Sequence, residues 1–225
     1  MTPWILLDSA QVPGNGGELR LYQRNDEFSI KITGRGELMN SRVHGSEDAL
    51  AEHSCARLVN RTTPRLLIGG LGMGFTLAAA LKHLGNQAQV EVAELIPAVV
   101  AWNRGPLGEP SGQPLRDPRV TVIEKDIALL LKAAEQSYDA ILLDVDNGPE
   151  GLTRKENDWL YSIDGLSETC AALRPGGILA VWSAGPDNIF AQRLRKTGFV
   201  TDEIRVRAHG SKGARHTLWF ALRDE

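Results

Sequence analysis

Hydrophobic and polar residues alternate near the start of the chain, which is the pattern of strands with one buried face. Both ELRLYQR (residues 18–24) and EFSIKIT (residues 27–33) alternate in this way. Asn25 and Asp26 lie between them and form a turn signal, so the two segments predict a β-hairpin. A second turn at 34–36 leads into the short segment ELM. Together these segments predict a small N-terminal β-hairpin region.

A helix is predicted after this region. Ser46 is a suitable N-cap, and Glu47 and Asp48 then fall in the first turn, where the helix dipole favours negative charge. The helix runs through DALAEHSCARLV and must end before Pro64. We therefore assign residues 1–60 to a β-hairpin region with its linking helix.

From residue 65 onwards, short apolar runs alternate with segments of helical character. The predicted strands are RLLIG, QVEVAE, RVTVIE, DAILLD and GILAVW, and the predicted helices are FTLAAALKHL, AVVAWNR, IALLLKAAEQ, SETCAALRPGG and PDNIFAQRLRKTG. This alternation is typical of βαβ units and a parallel sheet. The final strands, FVTDEIRVRA and HTLWFAL, must pair antiparallel because their short loop cannot make a crossover. Residues 61–225 therefore predict an open α/β domain.

The composition is that of an ordinary globular protein and narrows the classes of partner. Of 225 residues, 42% are hydrophobic and 24% charged, and the net charge of −3 excludes a face-wide basic surface for nucleic acid. No apolar run is long enough to cross a bilayer, and the first residues lack the features of a signal peptide. Cys55 and Cys170 are widely spaced, and the five histidines show no ligand spacing. We expect a cytoplasmic protein with reduced thiols, no metal, and no membrane or nucleic-acid partner.

The clearest chemical motif is the segment RLLIGGLGMGFT, which joins a predicted strand to a predicted helix. Gly70, Gly72 and Gly74 permit a tight turn and let a ligand approach the backbone. The N-terminus of the following helix offers unpaired N–H groups. This is the context of a nucleoside-binding loop, although many glycine clusters are only turns.

Two acidic residues follow the next two strands and extend this hypothesis. Glu94 ends the second strand, where a carboxylate can accept both ribose hydroxyls; the alternative is a solvated strand end. Asp126 follows the third strand, where it can accept from an adenine amino group, cap the next helix, or do both. With Ile127 and the three glycines, these residues form the predicted cofactor-binding set.

These segments resemble the class I methyltransferase and spermidine synthase superfamily, and the resemblance covers nearly the whole chain. LLIGGLGMGFTL, VAELIPAVV and DPRVTVIEKD resemble the glycine-rich loop and the second- and third-strand segments of spermidine synthases, the polyamine aminopropyltransferases. YDAILLDVDNGPEGL resembles the strand that ends in their catalytic aspartate, with Asp144 at that position. The resemblance implies a Rossmann-like class I methyltransferase fold, adenosylmethionine or decarboxylated adenosylmethionine as the cofactor, and a homodimer.

The resemblance also implies a reaction. The nitrogen of an amine acceptor attacks the carbon beside the sulfonium of the nucleoside, and a carboxylate holds the protonated amine and takes its proton. Asp144 is the predicted base, with Asp146 as a second catalytic residue. The alternative for Asp144 is capping of the loop after its strand. The predicted partner is a small-molecule acceptor.

The sequence departs from that family at several positions. Leu71 and Gly72 replace its usual Gly-Asp, and Ile96 replaces an aspartate. The Tyr-His-Glu of its N-terminal helix is replaced by DALAEHS, and VDNGP stands where the family has two small residues and Asp-Pro. Two other functions therefore stay open: methyl transfer from adenosylmethionine to a small acceptor, and nucleoside binding without catalysis.

A basic cluster lies near the end of the chain. Its members are Arg207, His209, Lys212, Arg215 and His216. They suit a carboxylate or phosphate on the acceptor, which favours methyl transfer to an anion. The alternative is a solvated hairpin tip.

Overall fold

The N-terminal region forms a small antiparallel sheet of four strands. The computed structural model describes residues 2–14, 16–145, 159–209 and 212–224. The strands β1 (Ile5–Val12), β2 (Gly17–Arg24), β3 (Glu27–Ile32) and β4 (Gly36–Asn40) pair in chain order. Arg24 pairs with Glu27 across the predicted turn, where Asn25 has the left-handed φ of 56° that such a turn needs. The predicted hairpin is confirmed.

Strand β1 is not predicted by the sequence pattern. It pairs with β2 from Ile5 opposite Gln23 to Val12 opposite Gly17. Its first five side chains are all exposed, so they show no alternation between a buried and an open face. Because backbone pairing defines this strand, periodicity does not reveal it.

The second sheet is larger and mostly parallel. Its strands are β5 (Arg65–Gly69), β6 (Gln89–Ala93), β7 (Val120–Ile123), β8 (Tyr138–Leu143), β9 (Leu173–Ser183), β10 (Val200–His209) and β11 (Lys212–Leu222). They lie in the order β10-β11-β9-β8-β5-β6-β7. Strands β5 to β9 pair in parallel, whereas β11 pairs antiparallel with both β9 and β10. The predicted Rossmann-like sheet with an antiparallel C-terminal edge is confirmed.

Helices cover both faces of this sheet. They are α1 (Gly45–Ala56), α2 (Phe75–His83), α3 (Pro97–Arg104), α4 (Ile127–Ala133), α5 (Ile163–Ala172) and α6 (Asn188–Lys196). Leu66 and Ile68 of β5 belong to one hydrophobic cluster and Leu67 to another, which explains its continuous apolar sequence. The first cluster also contains Leu21 and Ile30 of the small sheet. None of the described helices is long and apolar enough to cross a membrane. A domain boundary at residue 60 stays a prediction.

Several predicted helix ends differ from the structure, and two of these boundaries, at the start of α1 and the start of β9, change the role of a residue. Helix α1 begins at Gly45, so Ser46 lies inside it and donates to Glu47 Oε2 at 2.6 Å instead of capping the helix. The predicted helix SETCAALRPGG ends at Ala172, and Leu173 begins β9 beside Tyr138 of β8. Leu173 is fully buried in this position, so pairing with a buried strand outweighs continuation of the helix.

Candidate active site

The glycine-rich loop lies between β5 and α2, as predicted. Gly70, Gly72 and Gly74 have left-handed φ values of 85°, 51° and 82°. At Gly70 a side chain is excluded by this φ and also by space, because a Cβ there would lie 2.4 Å from the backbone oxygen of Asp144. The loop therefore needs glycine at this position to pass beside the end of β8.

Asn103 of α3 supports the loop, a role that is not predicted from the sequence. Its side-chain amide donates to the backbone oxygen of Gly72 at 2.8 Å and to that of Val99 at 2.9 Å. Because Asn103 is buried, these hydrogen bonds hold the loop firmly against the helix. Nothing in the local sequence PAVVAWNR distinguishes this asparagine from a surface residue of the helix.

Glu94 joins the end of β6 to the glycine loop. Its Oε2 accepts from the backbone N–H of Leu71, and its Oε1 accepts from that of Ile96, both at 2.9 Å. The residue is only 7% exposed, so the interpretation as a solvated strand end is wrong. Burial raises the pKa of Glu94, and the backbone N–H groups oppose this rise.

Asp126 and Ile127 lie at the start of α4. Asp126 is the N-cap of this helix, since its Oδ1 accepts from the backbone N–H of Ala128 at 2.9 Å, and the capping prediction is confirmed. Ile127 is buried against the end of β5, where a Cβ on Gly69 would lie 2.3 Å from its Cδ1. The absent side chain of Gly69 thus lets Ile127 reach the sheet.

One cavity brings most of the predicted residues together. Among its lining residues are Gly70, Gly72, Glu94, Asp126, Ile127 and Asp144. The small sheet adds an apolar part of the wall, with Val12, Leu19, Ile30, Leu38 and Met39. Gly74 does not line this cavity and instead precedes the first residue of α2. A mainly apolar lining with a few polar groups is typical of sites for small organic ligands.

Asp144 follows β8 directly and is held by Thr76 of α2. The Thr76 hydroxyl donates to Asp144 Oδ2 at 2.6 Å. Burial raises the pKa of Asp144, and this hydrogen bond opposes the rise. A carboxyl with a raised pKa beside a cavity is suited to exchanging a proton with a ligand.

A second cavity adjoins the first and shares Leu38, Met39, Gly72 and Asp144 with it. Glu47 of α1 also lines this second cavity. Burial raises the pKa of Glu47 to about 7, and the negative charge of Asp144 contributes to the rise. From the sequence, Glu47 has only a helix-dipole role, because no local signal shows that α1 packs against α2.

The described side chains of the basic cluster in the final hairpin do not line these cavities. Neither cavity is lined by Arg207, Arg215 or His216, and the side chains of His209 and Lys212 lie outside the described residues. Arg215 is exposed, whereas burial lowers the pKa of His216. The two cavities therefore give the anionic-acceptor hypothesis no support.

Asp146 lies outside the described residues, within the segment 146–158. Its catalytic role stays a prediction. Where the structure is described, no group of three or more His, Cys, Asp or Glu side chains is placed to hold a metal ion. The expectation of a metal-free site also stays a prediction.

The sequence is similar to that of several known proteins. The spermine/spermidine synthase domain family matches residues 50–192. Polyamine aminopropyltransferase 1 of Streptomyces coelicolor is 30% identical over 149 residues, which make up 63% of this chain and 27% of that protein. Putrescine N-methyltransferase 2 of Nicotiana attenuata is 33% identical over 115 residues, or 51% of this chain and 29% of that protein. The matched stretch thus spans less than a third of these two relatives.

The fold is also similar to that of solved structures. The spermidine synthase of Thermotoga maritima superposes with a TM-score of 0.77 at 18% identity, covering 97% of this chain and 72% of that one. At this level of identity the likeness shows the fold alone. The Rossmann-like class I methyltransferase fold and the additional N-terminal sheet are both confirmed.

Proposed function

This chain belongs to the spermine/spermidine synthase domain family, and on that premise we propose that it is a transferase that moves an aminopropyl group from decarboxylated adenosylmethionine to an amine. The observation that carries this proposal is Asp144, a half-buried carboxyl with a raised pKa in the wall of the cavity that Glu94 and the glycine loop also line. The name of the Streptomyces coelicolor relative, a polyamine aminopropyltransferase, supports the identity of the transferred group.

Glu94 and the glycine loop are proposed to hold the nucleoside. The carboxylate of Glu94, already oriented by two backbone N–H groups, accepts from the ribose hydroxyls. Asp126 accepts from the adenine amino group, and Ile127 packs against the base. Gly70 and Gly72 leave space for the chain that carries the sulfonium. This assignment is supported by the lining of the first cavity, which contains all five residues.

Asp144 is proposed to hold the amine and take its proton. The amine nitrogen attacks the methylene carbon beside the sulfonium, and the carbon–sulfur bond breaks with its electron pair staying on sulfur. Asp144 takes the proton of the ammonium group before this attack and passes it to solvent, because only the neutral amine is nucleophilic, and the nucleoside product leaves as a neutral thioether. Because the leaving group is neutral, positioning supplies much of the rate. Asp146 remains the second proposed residue on the acceptor side.

Methyl transfer to an amine is the second candidate function. The Nicotiana attenuata relative, a putrescine N-methyltransferase, favours it at 33% identity. The same attack then takes place at the methyl carbon of adenosylmethionine, with the same residue as base. An anionic acceptor is disfavoured because Asp144 and Glu47 line the second cavity and would repel it.

Calorimetry and turnover assays test these functions. We expect decarboxylated adenosylmethionine to bind more tightly than adenosylmethionine, and a panel of diamines to yield aminopropylated products by mass spectrometry. Glu94→Ala should abolish both binding and turnover. A preference for adenosylmethionine with methylated products would replace the first function by the second. Binding without turnover of any amine would leave only nucleoside binding.

We also propose that the protein is a cytoplasmic homodimer. Strand β1 is at the edge of the small sheet and exposes Ile5, Leu6 and Leu7. Exposed apolar edge strands are commonly covered by a partner, which supports self-association through β1. Cys55 and Cys170 are both free, as is usual in a reducing compartment. The expectation that nucleic acid is not bound continues to rest on the net charge of −3.

A further inference from the structure

Glu47 and Asp144 line the same cavity although they are far apart in sequence. We infer that Glu47 is a substrate-binding residue and that it holds an alkylammonium group together with Asp144. This inference rests on the proposed function, because the ammonium group is that of an amine substrate. It assigns a role in the site to a residue whose first-turn position has an ordinary explanation in the helix dipole.

Each carboxyl is held in place by a neutral hydroxyl. Ser46 donates to Glu47 at 2.6 Å, and Thr76 donates to Asp144 at 2.6 Å. Within the described ranges, the ion pairs of the protein include neither Glu47 nor Asp144. The two carboxyls are therefore oriented without being neutralised by any described cation.

The remaining described wall of this cavity offers no positive charge. Its apolar members are Leu38, Met39, Leu71, Met73 and Phe75. Asn40 is occupied elsewhere, since its side-chain oxygen accepts from the backbone of Arg42 and Val43 and its amide donates to Glu37. Two carboxylates in such surroundings repel each other; burial raises the pKa of Glu47, and this repulsion by Asp144 adds to the rise.

An alkylammonium ion matches this arrangement. Its three N–H donors can bond both carboxylates at once, and its charge removes their mutual repulsion. Its alkyl chain can pack on the methionine, leucine and phenylalanine side chains of the wall. The glycine loop itself carries no acidic side chain between residues 69 and 75, so Glu47 supplies from α1 a negative charge that the loop lacks.

The ammonium group has two chemically equivalent sources. One is the amine acceptor, and the other is the aminopropyl tail of the donor. Both are protonated alkylamines that would reach the second cavity past Gly72 and Asp144, which line both cavities. The wall of the second cavity suits an alkylammonium group whichever molecule carries it, and binding measurements distinguish the two sources.

The test is Glu47→Gln, with Asp48→Asn as its matched control. Asp48 is the next residue of the same helical turn, pairs with His44 at 2.8 Å and lines neither cavity. Because Glu47→Gln removes one charged hydrogen-bond partner, it should weaken binding of the affected amine about 10- to 100-fold. The affinity of Asp48→Asn should stay within about twofold of that of wild type. Thermal unfolding confirms that both variants are folded.

Calorimetry with a diamine alone and with decarboxylated adenosylmethionine alone identifies the source. Weaker binding of the diamine to Glu47→Gln assigns the acceptor, and weaker binding of the donor assigns its tail. Unchanged affinity for both in folded Glu47→Gln would overturn the inference while leaving a functioning transferase intact. Conversely, the wild-type protein could bind an amine more tightly than Glu47→Gln does and yet turn over no substrate. That result would refute the proposed transferase function but keep the binding role of Glu47.

Discussion

The hydroxyl of Thr76 donates a 2.6 Å hydrogen bond to Asp144 Oδ2 and so ties α2 to the end of β8. Thr76 is only 3% exposed, so water competes little for this bond. The backbone of Asp144 is fixed separately, because its N–H donates to the oxygen of Gly69 at 3.0 Å. Backbone and side chain are thus both held, which pre-orients the carboxyl for chemistry.

Thr76→Val should slow the proposed transfer and shift its pH dependence. The Thr76 hydroxyl lowers the pKa of Asp144, so its removal raises that pKa and moves the acidic limb of the kcat/KM profile to higher pH. We expect about a tenfold loss of kcat near neutral pH, while Thr76→Ser keeps the hydroxyl and the profile. A Thr76→Val profile that coincides with wild type would show that this hydrogen bond does not tune the base.

Gly70→Ala should unfold the protein more easily or prevent folding. Gly70 has a φ of 85°, and a new Cβ would lie 2.4 Å from the backbone oxygen of Asp144, which cannot move without disturbing β8. We expect a loss of at least about 2 kcal/mol in the free energy of unfolding, measured with urea. Gly85→Ala is the control, because a Cβ at Gly85 meets nothing within 4 Å. Equal stability of the two variants would contradict this account of the loop.

Glu94→Gln should weaken nucleoside binding and also lower the stability of the fold. Both oxygens of Glu94 accept from backbone N–H groups, and an amide has only one acceptor oxygen, so its NH₂ would face a donor. We expect about 10- to 100-fold weaker binding by calorimetry and a stability loss of about 1 to 2 kcal/mol. Glu124→Gln, at an exposed position after β7, should change neither. Wild-type affinity in Glu94→Gln would exclude Glu94 from the nucleoside site.

The local sequence pattern was sufficient to predict the larger sheet and the residues on one side of the site. A short stretch of neighbouring residues is enough to show the period of a strand or helix, a glycine cluster between strand and helix, or a carboxylate at a strand end. The residues found in this way, Gly70, Glu94 and Asp144, do line one cavity. Thr76 and Glu47 could not be found in this way. Their contacts with the site depend on how α1 and α2 pack, which no short segment encodes.

The apolar wall from the small sheet illustrates the same distinction. The sequence predicts hairpin strands there, and alternation correctly marks Leu19 and Ile30 as buried. Alternation does not reveal what the buried face packs against. In the structure that face belongs partly to the core and partly to the cavity beside Glu94.

Leu6→Lys should prevent the proposed self-association. Leu6 is 50% exposed on β1, and a lysine on an edge strand opposes pairing with a second copy. We expect wild type to sediment as a dimer and Leu6→Lys as a monomer in analytical ultracentrifugation. Leu129→Lys, at a 60% exposed leucine of α4, should remain dimeric. A wild-type mass matching one chain would refute the dimer.

The raised pKa of Glu47 makes a prediction about stability and pH. Its folded-state pKa is about 7 against an ordinary value of 4.5; burial is the main cause of the rise, and the charges of Asp144 and, less strongly, Asp48 add to it. Between these two pH values the folded state binds more protons at this site than the unfolded state. The contribution of Glu47 to the free energy of unfolding therefore falls as the pH rises from about 4.5 to 7, and it stays low above pH 7.

Glu47→Gln should consequently stabilise the protein at pH 8 but not at pH 4.5. Glutamine cannot ionise, so the variant avoids the cost of a buried charge beside Asp144, and we expect a gain of about 1 to 3 kcal/mol at pH 8 by urea unfolding. Glu52→Gln, at an exposed position of the same helix, should show no such difference. If an ammonium group is the natural partner of this pair, saturating diamine or decarboxylated adenosylmethionine should stabilise wild type at pH 8 more than it stabilises Glu47→Gln. A constant difference between Glu47→Gln and wild type across this pH range would mean that Glu47 keeps its ordinary pKa in the folded protein.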